Sequence, residues 1–140
     1  LLVKLDQVKD EHFDLILFQI GANDIIHFTN AKKIEILLKK VLNKAQFLSS
    51  KIIVLTSGNV GLGPTFKWPL SYLVTSRTLM VRQIFQKEIS SREEVKYVDL
   101  YKDKGNDVFL TDINKYYAED HFHPSGAGYE VWYKEVQKYL

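Results

Sequence analysis

The sequence has no cysteine, and this absence excludes disulfide bonds and cysteine-ligated metal sites. No apolar run approaches the roughly 20 residues that a membrane-spanning helix requires. The chain begins at Leu1 and shows no signal-peptide pattern, and we draw no prediction of the compartment from it. Neither the glycine-rich phosphate loop nor the Gly-x-Ser-x-Gly nucleophile turn occurs.

The composition is that of an ordinary globular domain. The chain has 140 residues, of which 46% are hydrophobic and 26% charged, and this length buries roughly two-thirds of the unfolded surface. Basic and acidic residues number 19 and 17 and are interspersed, so the net charge is only +2. We therefore predict one domain, 1–140, and no nucleic-acid partner.

Apolar periodicity predicts alternating strands and helices. Three largely apolar runs predict strands, at 13–20, 51–56 and 96–100. Helical spacing predicts helices from Asn30 to about residue 48, with Thr29 or Asn30 as N-cap, over about 72–90 and over about 126–140. The apolar positions of the first helix include Leu37, the inward positions of the second include Leu73, and one side of the third carries Tyr129, Trp132, Tyr133, Val136 and Leu140. The alternation indicates an α/β fold with a parallel sheet between two helical layers.

Polar groups follow each predicted strand. Asn23 comes after the first strand, the loop 57–64 after the second, and Asp120 and His123 after the third. In parallel sheets the site lies beyond the carboxyl ends of the strands, so these groups are expected to converge. The loop would wall a pocket, with Phe66 and Trp68 as its apolar lining.

Asp120 and His123 are candidates for acid–base chemistry. Acyl transfer by a serine needs an imidazole to accept the hydroxyl proton and a carboxylate to orient that imidazole. An Asp three residues before a His supplies both from one segment. The alternative is structural: Asp120 caps a turn, and Ser125 caps the last helix behind Pro124.

Asn23 is a candidate oxyanion donor. Its amide could bond to a developing oxyanion, an interaction worth ~3 kcal/mol in the transition state, and Gly21 would permit the sharp turn that aims it. An ordinary Asn-Asp turn is the alternative, with Asp24 bonding to local amides. His27 has no partner that the sequence identifies.

A metal site is a further alternative. Asp24, Asp120, His121 and His123 have the mixed carboxylate and imidazole character of divalent-metal ligands in a phosphoesterase. The set has no second, well-spaced ligand cluster. A chelator would distinguish this alternative from metal-independent hydrolysis.

Two sequence blocks together resemble the SGNH (GDSL-type) esterase and lipase superfamily. One is Gly-x-Asn-Asp after a central strand, at Gly21, Asn23 and Asp24, and the other is Asp-x-x-His-Pro before the last helix, at Asp120, His123 and Pro124. The resemblance implies a flavodoxin-like fold in which His123 is the general base, Asp120 its orienting acid and Asn23 an oxyanion donor. It also implies a serine esterase or lipase without metal or cofactor, acting on a small ester, an acylated sugar or a lipid.

The family's Gly-Asp-Ser block, which carries the nucleophile, and its second block, an oxyanion-hole glycine, have no match here. By the resemblance, both are expected upstream of Leu1 together with the first strands of the sheet. Residues 1–140 alone would then be inactive and, with a bare strand edge, poorly soluble. A non-catalytic binding module of the same fold remains the alternative.

Overall fold

The structure is a computed structural model that describes residues 1–140. Its sheet has three parallel strands in the order β1-β2-β3, namely β1 (Ile16–Gln19), β2 (Ile52–Leu55) and β3 (Val95–Val98). All three predicted strands form, each shorter than its apolar run. In register, Ile16 lies opposite Ile52, which lies opposite Val95.

Helices fill the connections between the strands. The helices are α1 (Leu2–Gln7), α2 (Ala22–Ile26), α3 (Ala31–Leu48), α4 (Leu70–Ile89), α5 (Ile113–Tyr116) and α6 (Gly126–Gln137), with short 3-10 helices at Val60–Leu62 and Val108–Leu110. The short helices α2 and α5 were not predicted, because four or five residues are too few to show helical periodicity. No helix is long and apolar enough to cross a membrane.

Helix α3 forms where its cap and its apolar stripe place it. Asn30 caps α3 by accepting a hydrogen bond from the Lys33 amide through its side chain, which satisfies one free donor of the first turn. The buried stripe of α3 runs from Ile34 to Leu48, and Leu37 is exposed beside it. In α4, Leu73 is exposed, so its predicted inward orientation is wrong. Successive residues of a helix point about 100° apart, and here it is Val74 that lies in the buried stripe.

The sheet is covered on both faces, which confirms the three-layer α/β architecture. On one face α3 and α4 pack against Phe18, Ile52 and Val54 in a core of 16 buried residues. On the other face Val136 and Trp132 of α6 pack against a smaller core that includes Ile53. The alternation of neighbouring strand residues between two cores is the period of two expected for a sheet buried on both sides.

Helix α6 covers only part of its face. It packs through Trp132 and Val136 against residues of β2 and β3 and does not extend over β1, so Tyr129 and Tyr133 on the same side are exposed. The helix ends at Gln137, short of the predicted end near Leu140. Leu17, on the same face of β1, is therefore 52% exposed. The outer edge of β1 also pairs with no strand. The first strand thus carries both an open edge and an open face.

Candidate active site

A closed turn over residues 117–124 carries the acid–base candidates. The amide of Ala118 donates to the carbonyl of His123 at 2.8 Å, and Tyr117 pairs with Pro124 in an antiparallel bridge. At the tip, the His121 amide donates to the Ala118 carbonyl and His121 has a left-handed backbone with φ of 55°. The turn therefore reverses the chain within a few residues and brings Asp120 back toward His123.

Both oxygens of the Asp120 carboxylate are engaged. Oδ1 accepts hydrogen bonds from the backbone amides of Phe122 and His123, both at 2.9 Å. Oδ2 lies 2.6 Å from Nδ1 of the His123 ring. The amide bonds fix the carboxylate in an Asx turn, so that its second oxygen faces the imidazole.

The hydrogen bond from the His123 ring, followed by the amide bonds from His123 and Phe122, lowers the pKa of Asp120 to about 2. The carboxylate is consequently ionised at neutral pH. An ionised carboxylate only accepts hydrogen bonds, so Nδ1 of the neutral His123 ring carries the proton and Nε2 is left with a free lone pair. This is the tautomer that a general base requires.

Asn23 lies in the first turn of α2, after the end of β1. Gly21 precedes this helix with φ of 104°, a conformation that residues with a Cβ rarely adopt. The Asn23 side chain is exposed and makes no hydrogen bond. Asp24 also makes no side-chain hydrogen bond, so its carboxylate does not accept the bonds that were expected from local amides.

One cavity of about 180 Å³ joins the two predicted parts of the site. Asn23, His123 and residues of the loop 57–64 all line it. Its further lining includes Asp107, Phe109, Tyr117, Trp132 and Glu135. Trp68 is 84% exposed and Phe66 packs against Phe122, and neither lines the cavity, so their predicted role as lining is wrong. Segment 66–68 leads directly into α4, which begins at Leu70.

Residues 1–131 match the model of the GDSL-like Lipase/Acylhydrolase family. The chain belongs to this family. Among solved structures, it is similar to a family 3 carbohydrate esterase of Clostridium thermocellum, with 19% identity and a TM-score of 0.58 over 96% of this chain. It is also similar to the salicylyl-acyltransferase SsfX3 from a tetracycline biosynthetic pathway, with 13% identity and a TM-score of 0.62 over 99% of this chain.

These likenesses show the fold, and with it the predicted SGNH-type architecture. The chain spans 63% of the carbohydrate esterase and 40% of the acyltransferase. No curated protein matches this chain.

The two serines nearest the cavity are poorly suited to be the family's nucleophile. The Ser57 hydroxyl is buried without a hydrogen-bond partner. Ser125 is engaged as the N-cap of α6, where its Oγ accepts from the Gly128 amide at 3.2 Å and donates to the Lys115 carbonyl. Neither hydroxyl bonds to the ring of His123.

Sequence reasoning missed the aromatic wall of this GDSL-like site. The sequence prediction gives no role to the aromatic residues between β3 and α6, yet the Phe109 ring contacts those of Tyr117 and Trp132, with centroids 5.4 and 5.8 Å away. Burial, and to a lesser degree the charge of Asp107, raise the pKa of Tyr117 to about 12. The signal was the presence of several aromatic residues within a segment otherwise rich in turn formers.

The alternative metal ligands do not assemble. No three His, Asp or Glu side chains of the chain are arranged to hold a metal ion. Asp120 and His123 instead bind each other, and Asp24 contributes no third ligand beside them.

Proposed function

We propose that this chain supplies the base and an oxyanion donor of a serine ester hydrolase. The observation that carries the proposal is the 2.6 Å contact between Asp120 Oδ2 and His123 Nδ1, in a turn that borders the same cavity as Asn23. Such an arrangement leaves Nε2 of His123 free to accept the proton of a serine hydroxyl. Gly21 and the short helix α2, which contains Asp24, present Asn23.

In the proposed reaction the serine oxygen attacks the ester carbonyl carbon while its proton passes to Nε2 of His123. The carbonyl oxygen becomes an oxyanion and accepts a hydrogen bond from the Asn23 amide group. Collapse of this intermediate breaks the ester C–O bond, and His123 returns the proton to the leaving alcohol. Water then hydrolyses the acyl-serine with His123 again as base. No step needs a metal or an organic cofactor.

We propose that the nucleophile precedes Leu1 in the full-length protein. Membership of a GDSL-like family without a Gly-Asp-Ser block supports this proposal. So does the state of the nearby serines, since the hydroxyl of Ser57 is buried and Ser125 is a helix cap. The open edge and open face of β1 are consistent with further strands on that side.

The substrate class is an ester of an alcohol, a sugar or a lipid. An acylated sugar suits the lining best, because the half-buried ring of Trp132 and the carboxylates of Asp107 and Glu135 line the same cavity. Aromatic rings pack on the apolar faces of sugars and carboxylates accept from their hydroxyls. One of the similar structures is a carbohydrate esterase.

A fluorophosphonate probe applied to the full-length protein tests this function. Mass spectrometry of the modified peptide is expected to find a labelled serine upstream of Leu1. Labelling at Ser57 or Ser125 would move the nucleophile into this chain. Absence of labelling, with no hydrolysis of acetylated sugars or simple esters, would instead favour a non-catalytic binding module.

A further inference from the structure

Loop 57–66 reaches the acid–base turn through a single side-chain hydrogen bond. The hydroxyl of Thr65 donates to the backbone carbonyl of His121 at 2.8 Å. It is the one side-chain hydrogen bond that reaches the turn 117–124 from a distant part of the sequence. Thr65 itself does not line the cavity.

The loop that presents Thr65 is fixed on α4. Asn59 is buried, and its side-chain oxygen accepts from the Thr75 hydroxyl at 3.1 Å. Gly61 lies so close to α4 that a Cβ there would overlap with Thr75 and with the Ser71 carbonyl. Because interiors are packed too densely to yield to such overlaps, the loop forms a firm support.

The bond from Thr65 acts on the peptide unit that also binds Asp120. The His121 carbonyl and the Phe122 amide belong to one planar peptide group, so fixing one fixes the other. That carbonyl accepts from Thr65, while the amide donates to Asp120 Oδ1 at 2.9 Å. The left-handed backbone at His121, which is disfavoured for a residue with a Cβ, makes the orientation of this unit dependent on such contacts.

The same loop also contacts the turn through aromatic rings. The ring of Phe66 meets that of Phe122 edge-on at 6.1 Å, and Phe122 meets the His123 ring edge-on at 4.9 Å. Thr65 therefore contacts the peptide group that binds Asp120, and Phe66 contacts the Phe122 ring that packs against His123. These two features set the direction of the imidazole.

We propose that Thr65 is a positioning residue: its hydroxyl orients the peptide between His121 and Phe122 and thereby holds the Asp120 carboxylate against Nδ1 of His123. The catalytic meaning of this role rests on the proposed function. The geometric role does not, and can be measured without any substrate.

The test is solvent exchange of the Nδ1 proton of His123, measured by NMR on full-length protein with ¹⁵N-labelled histidine. Loss of one hydrogen bond changes the equilibrium between the closed and open turn by about fivefold. Thr65→Val is therefore expected to accelerate exchange of the Nδ1 proton by about that factor. Thr65→Ser keeps the hydroxyl and is expected to restore the wild-type rate. Thr111→Val is the matched control, because Thr111 is also exposed and donates to a carbonyl, that of Val108 at 2.7 Å.

An unchanged exchange rate in Thr65→Val would overturn the proposal, as would equal acceleration in Thr65→Ser or in Thr111→Val. If Thr65→Val does not fold, Thr65→Ala replaces it with the same expectation. In an active enzyme, Thr65→Val is further expected to lower kcat by about fivefold with KM unchanged, since Thr65 does not line the cavity. A protein that hydrolyses no ester but shows the exchange pattern would refute the proposed function and retain the positioning role.

Discussion

The two parts of the candidate site are built in opposite ways. Around the proposed base, Asp120 makes three hydrogen bonds within its own turn, and a fourth bond from Thr65 supports that turn. At the proposed oxyanion donor, the Asn23 side chain makes none, and only the backbone of Gly21 and the short helix α2 place it.

This difference indicates what each side needs in order to act. A general base must hold one tautomer before the substrate arrives, so its partner has to be in place beforehand. An oxyanion donor needs a free N–H group, because a donor already bonded in the resting state would have to break that bond. Substitutions on the base side should therefore affect both structure and activity, and those at Asn23 activity alone.

The largest expected effect is that of removing the proposed base. His123→Gln should lower kcat of the full-length protein by about 10⁴-fold, because no other group is placed to accept the serine proton. Steady-state hydrolysis of a simple ester measures the change. His27→Gln is the control, since His27 is exposed and lies outside the cavity. Activity within tenfold of wild type in His123→Gln would assign the base to another residue.

The next largest effect is expected at Asn23, whose side chain makes no hydrogen bond. Asn23→Ala should lower kcat by about 10²- to 10³-fold through loss of the oxyanion donor. Its melting temperature should stay the same, because the side chain makes no hydrogen bond. Asn30→Ala should have the opposite pattern. It removes the cap of α3 and should lower the free energy of unfolding by about 1 kcal/mol, while kcat stays the same. Equal activity of the two variants would remove Asn23 from the mechanism.

A smaller effect is expected at Gly21, whose backbone conformation presents Asn23. Gly21→Ala should destabilise the fold by about 1–2 kcal/mol, because a Cβ is strained at this positive φ. The added Cβ would only make ordinary van der Waals contact with the Phe85 ring, at 3.4 Å, so the loss comes from the backbone conformation and not from overlap. Gly126→Ala is the matched control, with no atom within 4 Å of its added Cβ. Denaturant unfolding of both variants decides whether Gly21 is required for its conformation.

The elements that the sequence predicted well have local causes. Helix α3 follows from an Asn cap and a long apolar stripe, and both are properties of neighbouring residues. The closeness of Asp120 and His123 follows from their spacing, since the turn between them closes with its own hydrogen bonds.

What the sequence could not show depends on distant packing. The direction of Trp68 depends on where α4 begins relative to the loop, and the exposure of Tyr133 on how far α6 extends over the sheet. The bond from Thr65 to His121 joins residues 56 positions apart, and no periodicity or motif encodes it. Predictions based on local pattern therefore find the acid–base pair and miss its support.

The smallest expected effect is at Asp120, and it appears only in the way that the stability of the folded chain depends on pH. Hydrogen bonds lower the pKa of Asp120 in the folded chain from an ordinary 3.8 to about 2. The unfolded chain therefore binds the proton more readily, and the stability that Asp120 contributes is present above about pH 4 and is lost as the pH falls toward 2. Asp120→Asn should melt below wild type at neutral pH, with the gap closing in that window. Asp14→Asn, at an exposed carboxylate without a side-chain hydrogen bond, should show no such dependence. A gap that persists at pH 2 would mean that Asp120 stabilises the turn by its shape rather than by its charge.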